Sequence, residues 1–314
     1  MIELASITLD KRIFSDFCRE VSSFFPSKDL SSFVNNNELV QKISDIAAND
    51  FADEIKKLAT NVVDPCIAIG SLDIPRLDGH DSAEDMFYSI VASIAINKNI
   101  FNPVVDKHLE TPFSLMQASD EEHRKLSEAG LDYFRPEDKL GFHSDGAYAS
   151  DRIYIPDHVS TYNIFLGYAN PGYFYWVPKA MWARYSEFRE KIGESEVRFK
   201  LSPITYTKTG GSLKVVRNDT IKIPIFCGDS IFLNGKIVDE DERIFSLATE
   251  MRASIGDNEF RIGIRQAAKR LIVAKNSFGF HARDVFEVPL VKEGFTRSMI
   301  RQIDSSGSTA KVIS

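Results

Sequence analysis

A change in hydrophobic periodicity near residue 100 places the strongest limit on what this chain can fold into. Before it, apolar residues recur at steps of three and four, which is typical of one buried helical face. These residues are Val40, Ile43, Ile46, Ala47, Phe51, Ile55 and Leu58. After it, short apolar runs alternate with Gly, Pro, Asn and Asp, which is typical of strands joined by turns. The sequence therefore predicts a mainly β core with flanking helices.

The chain has 314 residues, enough for one large domain or two small ones. No linker-like composition divides it, so we expect a single domain over 1–314. Within that domain we expect a mostly helical flank over 1–100 and a β core with helical inserts over 101–303. The Ser-rich and Gly-rich end, 304–314, is expected to fray.

Local signals predict individual elements. Ser82 and Asp85 resemble a capping box, which predicts a helix that begins at Ser82. The apolar run over 65–70 predicts a short buried strand. The other predicted elements are two helical inserts, 179–192 and 239–255, and three strands, 159–168, 221–227 and 271–280.

Composition narrows the class of partner. Lys and Arg number 38 against 45 Asp and Glu, a net charge of −7. We therefore expect neither nucleic acid nor a membrane surface as a partner, and a small-molecule substrate is favoured by elimination. The N-terminus lacks the order of a secretion signal, which favours a cytoplasmic location. Cys18, Cys66 and Cys227 are scattered, which argues against a disulfide framework or a cysteine zinc site. The sequence carries no signal for the oligomeric state.

A possible metal site begins at His143-Ser144-Asp145. Residues two apart on a strand point to the same side, so the His143 and Asp145 side chains can reach one ion while Ser144 faces away. A non-haem Fe(II) site holds two His and one carboxylate on one face and leaves the other positions open. His281 is the candidate for the remaining ligand, because it follows a strand-like run.

Two arginines follow His281 in the sequence. If Arg297 lies on the antiparallel strand returning from His281, its guanidinium reaches the neighbourhood of the metal and can hold a carboxylate bidentately. Arg301 lies four residues further on. The alternative is that both arginines are surface residues paired with Asp284 and Glu287.

The order His143-x-Asp145, His281, Arg297-x-x-x-Arg301 resembles the iron and co-substrate signature of the Fe(II)/2-oxoglutarate-dependent oxygenases, in particular the taurine dioxygenase and clavaminate synthase-like superfamily. The resemblance extends over roughly 60–303. It implies a double-stranded β-helix, a jelly roll of two facing sheets with helices packed outside.

The resemblance also implies the roles of single residues. His143, Asp145 and His281 would bind Fe(II), Arg297 would hold the distal carboxylate of 2-oxoglutarate, and Arg301 would bind an acidic group of the substrate. Many relatives supply a Thr hydroxyl to the co-substrate, but here Phe174 stands in its place. Another donor would have to serve, for which Thr161 and Asn163 are the candidates.

The implied activity uses O2 to decarboxylate 2-oxoglutarate to succinate and to attack an unactivated C–H bond of a free amino acid or a similar small metabolite. The carboxylate of Asp145 favours hydroxylation over halogenation, while desaturation or ring formation stays open. Asn234 and Lys236 would suit a neutral or acidic substrate side chain, unless Lys236 is simply solvated. Tyr148 and Tyr154 line the pocket or fill the core. His158 is expected to be structural.

Two hypotheses from other classes of protein are also compatible with the sequence. One is a non-catalytic jelly-roll module that binds or senses a ligand and retains a metal site. The other is a zinc hydrolase built on the same ligands, which would need a nearby general base and no co-substrate arginine.

Overall fold

A computed structural model describes most of the chain. The described residues are 1–79, 81–104, 113–119, 121, 124, 136–149, 152–200, 220–291 and 294–311. The helices among them are α1 (Lys11–Phe24), α2 (Leu30–Val34), α3 (Asn37–Asp50), α4 (Ala52–Val63), α5 (Ser82–Lys98), α6 (Tyr185–Ile192) and α7 (Glu242–Gly256). No helix in this part of the chain is long and apolar enough to cross a membrane.

The described strands are short and number from the N-terminus. They are β1 (Ile2–Glu3), β2 (Ile7–Thr8), β3 (Ile69–Asp73), β4 (Ser114–Ser119), β5 (Leu140–His143), β6 (Ala147–Ala149), β7 (Arg152–Pro156), β8 (Val159–Leu166), β9 (Tyr168–Asn170), β10 (Tyr173–Pro178), β11 (Glu196–Lys200), β12 (Thr220–Pro224), β13 (Phe226–Cys227), β14 (Ser230–Ile231), β15 (Lys236–Ile237), β16 (Ile262–Arg265), β17 (Arg270–Ala274), β18 (Gly279–Arg283), β19 (Glu287–Pro289), β20 (Phe295–Ile303) and β21 (Gly307–Lys311).

Two sheets form the core. One has the order β2-β3-β17-β8-β20-β4 and the other the order β1-β16-β10-β18-β5. Their facing sides share a buried apolar cluster, in which Ile272 of the six-stranded sheet packs with Trp176 and Ile264 of the five-stranded sheet. Alternate residues on each strand point into this space, so any polar side chain among them lies in the interior.

Helices cover the outer face of the six-stranded sheet. Leu271, Tyr162 and Ile300 alternate with the inward residues and pack against the apolar sides of α1, α3, α4 and α5. On the other side, Phe280 packs with α6, α7 and the small strands β11 to β14. The prediction of a β core with helices outside is confirmed.

The helical flank differs from its prediction at the joints. The periodic segment near residue 51 is two helices, because Phe51 leaves the helical conformation (φ −109°, ψ 27°) between α3 and α4. Its ring is buried against Phe17, so the apolar spacing continues through the break. The cap of α5 is Asp81, whose side chain accepts a hydrogen bond from Glu84 N, and the assignment of this role to Ser82 is wrong.

The strand predicted over 65–70 begins later, at Ile69. The carboxylate of Asp64 accepts from Cys66 N (2.8 Å), and this local turn occupies the preceding residues. The strand predicted over 271–280 is also wrong as one element. A 3-10 turn, Asn276–Phe278, separates β17 from β18, and the chain passes from one sheet to the other there.

The helical inserts are shorter than predicted. The first divides into a 3-10 turn, Lys179–Met181, and α6, which ends before Gly193 at φ 54°. The second, α7, begins after the Asp241 cap and includes Gly256. The expectation of a frayed tail is wrong for β21, which pairs along its length with β7. Backbone pairing fixes this segment despite its polar composition.

Candidate metal centre

Three side chains meet on the inner face of the five-stranded sheet. His143 at the end of β5 lies directly opposite His281 of β18 in the antiparallel pairing. Their Nε2 atoms lie 3.8 Å and 3.7 Å from Oδ1 of Asp145, and one ligand atom from each residue lies within 4.8 Å of the others. Two imidazole nitrogens and a carboxylate oxygen therefore converge on one point.

The backbone around the first two ligands is fixed from both sides. β5 ends at His143, so Ser144 and Asp145 lie outside the strand on which they were predicted; Ser144 still points away from the ligands, and its hydroxyl donates to Ile231 O (2.7 Å) and accepts from Leu233 N (2.9 Å). The buried side chain of Asn276 accepts from Asp145 N (2.8 Å) and donates to Asp145 O (3.0 Å). Asn276 therefore holds the main chain of Asp145 in place, a role that no sequence motif predicts.

The two imidazoles are oriented by different means. His143 Nδ1 lies 2.9 Å from the carbonyl of Gly141, to which it donates, and this leaves the lone pair on Nε2. His281 is stacked on the ring of Phe174, with centroids 5.4 Å apart and planes at 10°, and more loosely on Trp176. Its buried Nδ1 has no hydrogen-bond partner among the described residues. Aromatic packing therefore contributes to the orientation of this ligand.

The protonation states suit metal binding. Burial lowers the pKa of both imidazoles, that of His281 to about 3, to which the neighbouring His143 contributes. Burial alone would raise the pKa of Asp145, but Arg301 and the two imidazoles hold it well below its usual range. At neutral pH the site therefore presents two neutral imidazoles and an ionised carboxylate, the forms that ligate a metal.

Arg301 approaches the same carboxylate from the other sheet. Its Nη2 and Nε lie 2.8 Å and 3.2 Å from Oδ2 of Asp145. This contact occupies Oδ2 and leaves Oδ1 directed at the imidazoles. The donor set, its convergence and its neutral imidazoles fit a divalent cation such as Fe(II), with open positions beyond the three protein ligands.

A second polar group lies along the inner face of the six-stranded sheet. Arg297 Nη2 donates to Asn163 Oδ1 (3.3 Å), and Asn163 Nδ2 donates to Gln266 Oε1 (3.4 Å). The Arg297 guanidinium also lies 5.1 Å from the centroid of Phe286. β20 pairs with β8 and β4, so the hypothesis that Arg297 returns beside the strand of His281 is wrong. The arginine instead faces that strand from the opposite sheet.

The other predicted site residues lie in different surroundings. Thr161 is opposite Arg301 in the pairing of β8 with β20. The Tyr154 hydroxyl donates to the main-chain oxygen of Asp304, and burial raises the pKa of Tyr154 to about 12. Asn234 is half-buried next to Leu233, which bonds Ser144.

Lys236 is exposed on β15, in the outer sheet of β11, β12 and β15, as the solvated alternative expects. Tyr148 lies in β6, and its side chain is outside the described part of the structure.

Two cations near the site, the half-buried Arg252 and the buried Arg283, have no sequence signature. Arg252 of α7 donates to Gly235 O (2.9 Å) and contributes to the lowered pKa of His143. Burial lowers the pKa of Arg252 itself. Arg283, two residues after His281, donates to the carbonyls of Pro136 (2.6 Å) and Asp138 (3.1 Å), which lie just before β5. Arg283 thus secures the chain that enters the strand of His143.

A second cluster, Asp157, His158 and Asp304, also has ligand atoms within 4.8 Å of one another. Its groups are bonded internally, since Asp304 Oδ2 accepts from His158 Nδ1 (2.7 Å) and from Ser306 Oγ (2.6 Å). The His158 ring also stacks on Phe101. This arrangement agrees with a structural role for His158.

Solved structures share this fold. The chain is similar to the non-heme iron oxygenase OrfP in complex with Fe, at 9% identity and a TM-score of 0.64, with 97% of this chain and 94% of that chain covered. It is also similar to an asparagine oxygenase in complex with Fe(II), 2S,3S-3-hydroxyasparagine and succinate, at 13% identity and a TM-score of 0.61, with 95% and 93% covered.

A complex of OrfP with Fe and alpha-ketoglutaric acid gives 10% identity and a TM-score of 0.62, with 96% and 94% covered. No protein-family model and no curated protein sequence matches the chain. At these identities the likeness establishes the fold. The chain therefore has the jelly-roll fold of non-haem iron oxygenases, and the predicted resemblance is confirmed at that level.

Proposed function

We propose that the chain is an Fe(II)- and 2-oxoglutarate-dependent oxygenase that hydroxylates an unactivated C–H bond of a free amino acid or a small amino-acid-like metabolite. The observation that carries the proposal is the convergence of His143 Nε2, His281 Nε2 and Asp145 Oδ1 within a buried space. Bound iron would supply the activation of O2 coupled to decarboxylation of the 2-oxo acid.

The spacing along β8 suits the co-substrate. Thr161 and Asn163 lie on the inner face, about 7 Å apart along the strand. Thr161 is opposite Arg301, which touches the ligand Asp145, and Asn163 touches Arg297. An extended five-carbon diacid has a similar length, so its oxo end can lie at the triad while Arg297 binds its distal carboxylate.

The charges favour a substrate that carries a carboxylate. A divalent cation, the Asp145 carboxylate, the Arg297 and Arg301 guanidinium groups and a diacid dianion leave one net positive charge. An α-carboxylate near Arg301 would neutralise it. Arg252, close enough to lower the pKa of His143, adds positive potential, so we propose a neutral or acidic substrate side chain.

The protein residues would bind and orient the reactants. Arg301 is placed to exchange part of its contact with Asp145 for a contact with the substrate carboxylate, while Phe174 keeps water from one face of His281. The named complexes of similar proteins, with hydroxyasparagine and with (3R,4R)-dihydroxy-L-Arg, support amino acids as the substrate class.

Anaerobic spectroscopy tests the first part of the proposal. Fe(II) followed by 2-oxoglutarate should produce a weak visible charge-transfer band that is lost in His143→Ala and Asp145→Ala. His158→Gln is the matched control, because His158 also lies among carboxylates yet outside the triad, and it should keep the band. A flat difference spectrum in the unmodified protein, or unchanged 2-oxoglutarate binding in Arg297→Ala, would contradict the proposal.

An aerobic screen of amino acids tests the substrate class. Succinate release together with a gain of one oxygen in the amino acid is the expected result, and Asn, Gln, Asp or Glu should react faster than Arg or Lys. Succinate release without oxygen incorporation would point to desaturation or ring formation. The reverse substrate ranking would contradict the role given to the cations.

A further inference from the structure

The inner polar group contains a buried amide whose hydrogen-bonding capacity is incomplete. Gln266 is 3% exposed, and its Nε2 has no hydrogen-bond partner among the described residues. A buried N–H donor without a partner destabilises the fold, so such a group calls for an explanation. A bound ligand that accepts a hydrogen bond from this Nε2 would explain it.

The orientation of this amide follows from its neighbours. A guanidinium can only donate, so Asn163 must turn its Oδ1 towards Arg297. The Nδ2 of Asn163 then faces Gln266 and requires an acceptor, which fixes Gln266 Oε1 in that contact. The remaining Nε2 of Gln266 is therefore a donor, and the chain of contacts cannot be inverted by exchanging amide oxygen and nitrogen.

The position of Gln266 directs it towards the same interior space. It follows β16, in which Ile264 is opposite Phe174 and points into the cluster between the sheets. Residues 264 and 266 share a face by strand alternation, and Gln266 N donates to Gly172 O (3.0 Å), which continues the pairing with the segment before β10. The amide therefore lies on the inner side, in contact with Asn163, which in turn contacts Arg297.

We infer that Gln266 is a co-substrate-binding residue whose Nε2 donates to the distal carboxylate of the 2-oxo diacid held by Arg297. The inference rests on the proposed function. A guanidinium can take one or two carboxylate oxygens, and an amide donor beside it fixes the plane of that carboxylate. Asn163 acts as a positioning residue that orients both donors.

Binding measurements with the metal-loaded full chain test this inference. Gln266→Glu keeps the acceptor for Asn163 but replaces the donor by an anion, and Gln266→Met removes the polar group. Both variants should bind Co(II) within about twofold of the unmodified protein. Their Kd for 2-oxoglutarate, from the charge-transfer band with Fe(II), should rise on the order of tenfold to a hundredfold, with the larger effect for Gln266→Glu. Gln266→Glu alone decides the test if Gln266→Met does not fold.

The outcomes separate this inference from the proposed function. If Arg297→Met weakens 2-oxoglutarate binding while both Gln266 variants bind it within about twofold of the unmodified protein, the role of Gln266 is wrong and the function stands. A parallel loss of Co(II) affinity in the variants would mean a structural role and would also overturn the inference. Failure of the unmodified, iron-loaded protein to bind 2-oxoglutarate would overturn the function and the inference together.

Discussion

Acidification from about pH 7.5 to about pH 5.5 should lower the affinity of the triad for a divalent metal by less than tenfold. Ligation needs neutral imidazole, so protons normally compete with the metal. Burial lowers the pKa of His281 to about 3, so at pH 5.5 fewer than about one molecule in a hundred carries a proton there. An imidazole at its ordinary pKa of about 6.5 would be roughly nine-tenths protonated, which would reduce the affinity about tenfold through that ligand alone.

The same shift sets the acid stability of the metal-free protein. Both histidines have a folded-state pKa below the ordinary value, so the unfolded chain takes up protons first as the pH falls. Their contribution to stability is complete above about pH 6.5 and is lost as the pH falls towards the pKa of about 3 of His281. Metal binding should therefore be measured only above the pH at which the metal-free protein unfolds.

Titration with Co(II), followed by its visible absorption at each pH, measures the affinity. Phe174→Ala is the control, because it uncovers the face of His281 on which Phe174 stacks and partly restores contact with water. In this variant, the same acidification should lower the Co(II) affinity by up to about tenfold. A loss of tenfold or more in the unmodified protein would refute the reasoning, since it would mean that the imidazoles titrate as they do in water.

Three further predictions concern the scaffold. Asp85→Asn should lower the free energy of unfolding by about 2 kcal/mol in urea denaturation, because it removes the charge partner of the half-buried Lys269, 2.5 Å from Asp85; a change within experimental error would show that the pair contributes nothing. Gly279→Ala should reduce both the melting temperature and Co(II) binding, since its Cβ would lie 2.6 Å from a main-chain oxygen of β10, and unchanged values for both would contradict this. Alkylation near pH 8, mapped by mass spectrometry, should label the exposed Cys66 first, because burial raises the pKa of Cys227 to about 11; the rate at Cys227 should then increase about tenfold per pH unit up to about pH 10, and a flat pH profile would count against the shift.

Residue types with strict chemical demands could be predicted from the sequence. The convergence of His143, Asp145 and His281 could be predicted because a metal needs specific donor atoms, and two of these residues are only two positions apart in the sequence. Their meeting follows from the pairing of β18 with β5, which joins segments far apart in the chain. The break at Phe51 was not visible, because tertiary packing of an aromatic ring leaves the apolar spacing intact.

The supporting residues escaped prediction for a different reason. Asn276 and Arg283 bind main-chain groups of distant segments, and every residue type carries such groups. Nothing in the local sequence of an Asn or Arg therefore reveals such a partner. Only the fold shows that Asn276 holds the main chain of Asp145 and that Arg283 holds the segment before β5.

Phe174 is the most informative departure from the pattern of the oxygenases that the sequence resembles. Because its ring lies against His281, the strand position that could offer a hydroxyl to the co-substrate instead shields a metal ligand. The segment after the neighbouring strand β16 then offers a hydrogen-bond donor, since Gln266 follows this strand and its Ile264 is opposite Phe174. If a donor on one strand can be replaced by a donor on its partner, the effects of substitutions at positions 174 and 266 should depend on each other. Phe174→Thr should then reduce the loss of 2-oxoglutarate affinity that Gln266→Met is expected to cause, measured as the Kd of the double variant against those of the two single variants, and strictly additive effects would contradict the exchange.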